Sequence, residues 1–240
     1  MVKGKENHMK QNPKMIGSNL IDCVPQGMDR CPNNCSSCFM HQPNGFYRDI
    51  PFWPTEQEAE GKIVRVNSVH DSNIFRGLVI RSTDRYPNRF FNTSRQRFDF
   101  PAPVVFTCNG SDTDRSAIYT SEVDNLMAVR VRVNTWNTKI VKQAVWWYTE
   151  YHKVPVLLTF MRYKWGASGL ITHITDYEVR KHVVHSWWDI KRKDQKAIMD
   201  ICEDNDLVFT CGTLTSSLCK DCGNCEELYW RWMARNVRCY

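Results

Sequence analysis

The sequence predicts an α/β layered fold built on a parallel sheet. Short apolar, β-branched runs recur along its 240 residues, and the segments between them carry apolar residues at helical spacing. Strands that alternate with helices pair in parallel, because each helix carries the chain back to start the next strand in the same direction. The length also suffices for one large core.

Taken in order, residues 1–17 read as a polar, partly disordered arm. Residues 19–24 (Asn-Leu-Ile-Asp-Cys-Val) form a first short strand that Pro25-Gln26-Gly27 ends, with Cys23 as a small buried hydrophobe. A cysteine-rich loop follows, and residues 42–54 with their prolines are an irregular connection. Residues 63–67 are a second strand, running into the polar string Ser68-Val-His-Asp-Ser-Asn73. That string either supplies hydrogen-bond acceptors to a bound group or caps the next helix, since Asp, Ser and Asn do both. A helix is expected around 75–86, then a loop through Phe90-Phe91-Asn92, then a third strand over 103–108. Cys108 at its end is open to a catalytic reading or to simple packing.

Residues 126–133 are a fourth strand, and Thr138 is expected to cap a helix whose apolar positions 140, 141, 144, 145, 148 and 151 form one stripe. Residues 154–160 are a fifth strand. The stretch 165–190 has no clean period, and its His182-x2-His185 pair is a weak metal signal beside the reading of a solvated or packed pair. A helix over 193–202 and a sixth strand over 206–210 complete the alternation. A C-terminal helix begins at Glu226-Glu227, with its acids where the helix dipole favours them.

No run approaches a membrane span and the start lacks an apolar signal region, so the expectation is a soluble cytoplasmic protein. In that compartment eleven cysteines, an odd number with six in two tight clusters, point to metal rather than disulfides. A formal charge of +6 permits a nucleic-acid or nucleotide partner without requiring one.

The first cluster is Cys31-Pro-Asn-Asn-Cys35-Ser-Ser-Cys38. Three thiols on a turn can converge on one point, whereas a closed zinc or ferredoxin site takes four. The run therefore suggests an iron–sulfur cluster with one iron left open, or else a zinc knuckle completed by Cys23 or His41. The Cys-x3-Cys-x2-Cys spacing resembles the cluster loop of the radical S-adenosylmethionine (radical SAM) superfamily. The resemblance implies that Cys31, Cys35 and Cys38 hold a [4Fe-4S] cluster whose fourth iron takes the amino and carboxylate groups of SAM. It implies reductive cleavage of SAM to a 5′-deoxyadenosyl radical that abstracts hydrogen from a substrate. It also implies a partial (β/α)6 barrel with the cluster beyond the C-terminal ends of the strands, and an electron donor such as flavodoxin or ferredoxin. The family's adenine-facing aromatic usually precedes the last cysteine. Ser37 stands there in this chain, and Phe39 is the nearest aromatic. Asn67 and Asn134, at strand ends, are the expected cofactor contacts beside Phe39, in place of the family's glycine-rich motif.

The second cluster is Cys219-Lys-Asp-Cys222-Gly-Asn-Cys225, with Cys211 at the end of the sixth strand as a fourth ligand. Four thiolates suit a [4Fe-4S] cluster or structural zinc. By the same resemblance, the tail looks like a short auxiliary-cluster extension. The division expected is an arm over 1–17, a barrel over 18–210 and a cysteine-rich tail over 211–240. The substrate (nucleotide, nucleic acid or peptide) is not legible. The alternative is a non-catalytic zinc protein that binds nucleic acid through two cysteine knuckles.

Overall fold

The computed structural model describes residues 12–26, 31–33, 52–108, 119, 120, 122–162, 174–181, 186–200 and 204–236. Seven parallel strands form the main sheet: β1 (Leu20–Cys23), β2 (Ile63–Val66), β3 (Arg89–Thr93), β4 (Val104–Cys108), β5 (Leu126–Arg132), β6 (Val156–Thr159) and β10 (Val208–Thr210). They lie side by side in chain order, and every pair is parallel.

That order decides where everything else goes. Crossovers that always step the same way, with the usual right-handed sense, all fall on one face of the sheet. After the short α1 (Glu56–Ala59) ahead of β2, helices α2 (Arg76–Thr83), α3 (Thr138–Trp146) and α4 (Arg192–Asp200) obey this. Val79 of α2, Val141, Ala144 and Val145 of α3 and Ile198 of α4 share one core with Ile21, Val64, Phe91, Phe106, Val129 and Leu158. Cys23 and Cys108 are buried in this same helix-side core.

The opposite face needs a different cover. Leu20, Ile63, Phe90, Val105, Ala128 and Leu157 pack there against Met15, Leu228 and Tyr229. Helix α6 (Asn224–Asn236) is the cover. Its positions 225, 228, 229, 232 and 233 repeat at helical spacing, so one stripe meets the sheet, and Tyr229 stands 6.5 Å from Phe90 between ring centroids. Glu226 and Glu227 occupy its first turn, and Arg231 pairs with Glu227 one turn back. The short α5 (Cys219–Cys222) precedes it, and Gly223 at φ 64 makes the left-handed turn between them.

Several expectations are corrected. The sheet has seven strands rather than six, because the segment expected as a loop through Phe90-Phe91-Asn92 is β3. All five of its residues are buried, but Arg89, Asn92 and Thr93 are polar, so no apolar run marks it as a strand. Asp71 and Ser72 do not cap α2. Phe75, in a left-handed conformation with φ 50, is its N-cap without a side-chain bond. Thr138 does not cap α3 either. Asn137 is the N-cap, and its side chain turns back to accept from Asn134 N at 2.7 Å and donate to Arg132 O at 3.1 Å. Part of the expected arm is structured: Pro13–Met15 form a 3-10 turn and Met15 is fully buried. The aperiodic stretch contains two strands, β8 (Tyr177–Lys181) and β9 (Ser186–Ile190), which with β7 (Met161–Arg162) make a small antiparallel sheet. Among the described residues no helix is long and apolar enough to cross a membrane.

Candidate metal and cofactor site

Asn33, in the described start of the first cysteine loop, is fastened to the residues that follow β2 and β3. Asn33, between Cys31 and Cys35, donates from Nδ2 to Asp71 Oδ2 at 2.7 Å and Ser94 Oγ at 3.0 Å, and its Oδ1 accepts from Arg95 Nε at 3.0 Å. Asp71 is the hub. Its carboxylate also accepts from Ser94 N (2.7 Å), Ser94 Oγ (2.7 Å), Thr93 Oγ1 (2.8 Å) and Asn73 N (2.9 Å). These donors replace the hydration that the carboxylate loses on burial. Gln26, just after β1, joins from the other side, donating to Asp71 O and Ile74 O at 3.0 and 2.9 Å. Within the polar string after β2, Asp71 thus anchors Asn33, while Asn73 Nδ2 donates to Thr93 Oγ1 and Arg97 O.

Below this layer the inner face of the sheet changes character along the strands. Toward their N-terminal ends it is apolar and sealed by α6. Toward their C-terminal ends, alternation puts Asp22, Arg65, Asn92, Thr107, Arg130, Arg132 and Thr159 on the same face as Leu20, Ile63, Phe90, Val105, Ala128 and Leu157. Asp22 lies opposite Arg65 in the register, as Thr107 lies opposite Arg130 and Arg132 opposite Thr159. Arg130 Nη1 reaches Thr107 Oγ1 at 3.3 Å and Asn92 Oδ1 at 3.5 Å, while Asn92 Nδ2 donates to Val66 O at 2.8 Å. Asp22 Oδ2 accepts from Asn12 N at 2.9 Å. Among the described residues, Arg65 Nε, Arg130 Nε and Nη2, Thr159 Oγ1 and Asn67 Oδ1 are closed to solvent and have no hydrogen-bond partner. Each such orphan costs roughly 1–3 kcal/mol, and more where charged, unless a bound group meets it.

The tail cysteines converge on this polar tier. The ladder between β6 and β10 runs on to Cys211, whose N–H reaches Leu158 O at 2.8 Å. Cys211 is two residues beyond Phe209 and so shares its inner face. Cys219 and Cys225 pack against the inner-face core, Cys225 at the head of the buried stripe of α6. Asn224 Nδ2 donates to Thr210 O at 2.7 Å and ties that head to β10. The charges register the closeness. Burial pushes the Cys219 thiol up to about 12, with Cys225, Cys211 and Cys222 adding to the rise and Arg65 opposing it. Burial likewise raises Cys225, against the pull of Arg130 and Arg65. Burial alone would lower Arg65, but Asp22 and the thiols of Cys225, Cys219 and Cys211 outweigh it and hold the guanidinium above its ordinary value. Among the described residues no three side chains of His, Cys, Asp or Glu stand in a ligating arrangement. The tail thiols and the two guanidiniums lie close enough to shift one another's ionisation.

Of the residues expected to bind cofactor or metal, Cys31 is half-buried at the start of the fastened loop. Cys35, Cys38 and Phe39 lie outside the described residues, as do His41, His182 and His185. Asn67 is buried at the end of β2 with φ 60, and its Nδ2 donates to Ser72 Oγ at 3.1 Å. Its unmet Oδ1 is the type of acceptor an ammonium takes. Asn134 is equally buried, but its Oδ1 accepts from Tyr177 OH at 3.1 Å, which ties the end of β5 to the small sheet.

Sequence reasoning missed Asn33, Arg65, Arg130 and Thr159. A signal existed for the arginines: each stands between two valines, Val64-Arg-Val66 and Val129-Arg-Val131, where alternation turns the charge away from the helix side. Comparison with protein-family models, curated proteins and solved structures returns no match for this chain.

Proposed function

We propose that this protein is a radical SAM iron–sulfur enzyme whose parallel sheet is the wall of a partial barrel. The observation that carries the reading is the pairing of a Cys-x3-Cys-x2-Cys loop with a singly wound parallel sheet. Asn33 within that loop is bonded to Asp71, Ser94 and Arg95 beyond the C-terminal ends of β2 and β3. In parallel α/β folds, the loops leaving the strands are where active sites are built.

Cys31, Cys35 and Cys38 would hold the [4Fe-4S] cluster. Bound there with SAM, the group supplies reductive cleavage to a 5′-deoxyadenosyl radical and hydrogen abstraction from substrate. The chain's own residues do the rest. Asp71 and Asn33 keep the loop in place. Asn67 Oδ1 is the acceptor proposed for the cofactor's ammonium, and Phe39 the aromatic proposed near its adenine. Cys211, Cys219, Cys222 and Cys225 form a closed tail site for a second cluster or zinc. The reading implies a cytoplasmic protein served by a flavodoxin- or ferredoxin-type donor.

Anaerobic reconstitution tests this. The expected product is brown protein with iron and sulfide for up to two clusters, which releases 5′-deoxyadenosine from SAM with dithionite, slowly even without substrate. Asn67→Gly keeps the left-handed backbone and removes the acceptor, so SAM affinity should drop about tenfold at unchanged iron content. Colourless protein holding stoichiometric zinc, with no SAM cleavage, would sink the reading.

A further inference from the structure

The burial of the strands outlines a hollow. Among the described residues of β1 to β6, the strand positions not fully buried are Arg65, Thr107, Arg130 and Arg132, all polar and all on the inner face. Three of them stand together on β4 and β5. Thr107 lies opposite Arg130 in the register, and Arg132 follows two residues on, about 7 Å along the strand. Arg65 has its counter-charge, since Asp22 lies opposite it on β1. Arg130 differs. Its register partners are Thr107 and Leu157, and β2, β3 and β4 separate its strand from Asp22. Its Nη1 reaches only neutral oxygens, Thr107 Oγ1 and Asn92 Oδ1. Its Nε and Nη2 have no partner among the described residues. These two N–H groups share one edge of the guanidinium, the edge that binds both oxygens of a carboxylate or phosphoryl group in parallel. Thr159 of β6, two residues beyond Leu157 on the same face, is 5% exposed and its Oγ1 is also unmet.

We propose that Arg130 and Thr159 form the seat of an oxyanion, a carboxylate or phosphoryl group carried by a small substrate that enters the hollow over β5. Reading that ligand as the substrate rests on the proposed radical SAM activity, whereas the seat itself does not. A guanidinium cannot shed its charge, so a half-buried one among neutral side chains gains most from an anion. The bonds of Nη1 to Thr107 and Asn92 hold the plane of the fork in advance. A two-point bond then fixes the direction of the bound group as well as its place. Thr159 donates from the β6 flank. This tier lies toward the C-terminal ends of the strands, below the residues that fasten Asn33, so a substrate anchored there by its anion extends toward the cysteine loop. Arg130 and Thr159 bind and orient, and take no part in bond breaking.

Calorimetric titration of the metal-free full chain with inorganic phosphate, and separately with acetate, tests the seat. One saturable site is expected, and the tighter of the two anions assigns the group as phosphoryl or carboxylate. R130Q should weaken that anion at least tenfold, and R130K nearly as much, because an ammonium keeps the charge but not the fork. T159V should weaken it about fivefold, yet unfold no more easily than the parent without anion, since its hydroxyl has no partner to lose. R130K and T159V carry the measurement if R130Q does not fold. K139Q, which removes an exposed lysine from α3 on the helix side, should bind as the parent does. Failure of both anions to bind, or equal affinity in the parent and the Arg130 and Thr159 variants, overturns the proposal. An equal loss in K139Q would mean diffuse attraction to a basic chain and overturns it too. In the reconstituted protein SAM should leave phosphate affinity unchanged, and displacement by SAM would give the fork to the cofactor's carboxylate and overturn the proposal. A chain that takes up no iron yet binds the anion through Arg130 supports the seat and overturns the radical SAM reading alone.

Discussion

The two faces of the same sheet carry the same strands and do opposite work. On the helix side every strand contributes at least one Val, Ile, Leu, Phe or Cys to one apolar core, and α2, α3 and α4 close over it. On the inner side the strands begin apolar under α6 and end in Asp22, Arg65, Asn92, Thr107, Arg130, Arg132 and Thr159. Uniform burial stabilises one face. The other gives up part of that stabilisation to keep charged groups unmet, which is where binding is expected. A cysteine's meaning therefore depends on its face. Cys23 and Cys108 pack in the helix-side core, while Cys219 and Cys225 pack against the inner-face core under the polar tier.

The hardest test of that contrast exchanges cysteines between the two roles. Cys31→Ala should abolish SAM cleavage altogether and remove one cluster's worth of iron. Cys23→Ala should keep iron and cleavage and lose only about 1–2 kcal/mol of stability, the value of a small buried side chain. Iron analysis and denaturant unfolding read both. Loss of iron in the Cys23 variant would break the division between faces.

Neighbouring phenylalanines sharpen it. Phe90 faces α6 and Phe91 faces the helix side, stacked on Phe100 with ring centroids 4.6 Å apart. Either one changed to Ala should cost about 3–5 kcal/mol. In double-mutant cycles Tyr229→Ala should couple to Phe90→Ala by about 0.5–1.5 kcal/mol and to Phe91→Ala by nearly nothing. Equal coupling would mean that α6 does not distinguish the faces.

The smallest effect is a pH slope. Burial pushes the Cys23 thiol from an ordinary 9.0 up to about 12, with Arg85 partly opposing. Above pH 9 the unfolded chain gives up that proton while the fold retains it. Stability contributed by the neutral thiol is therefore present below pH 9 and lost as pH rises, by up to about 1.4 kcal/mol per unit. Burial raises Cys108 in the same direction. Urea unfolding of metal-free protein at pH 8, 9 and 10 should show a steeper decline than the Cys23→Ala variant does. Identical slopes would place the Cys23 thiol in a wetter site than the helix-side core.

What the sequence by itself determined is local. Short apolar, β-branched runs placed six of the seven strands to within a residue or two, and the stripe of α3 and the acidic start of α6 were readable because these signals are local. The cysteine spacings were legible for the same reason. β3 was not, since only Phe90 and Phe91 of its five residues are apolar and no apolar run marks it. Nor could local pattern show that Asn33 meets Asp71 and Ser94, or that Arg65, Arg130 and Cys225 share one neighbourhood. Those meetings join residues tens to more than a hundred positions apart. They depend on the register of successive strand pairs and on which face α6 covers. Only the folded sheet decides them, because a strand's pattern states that two faces differ but not what will stand opposite each one.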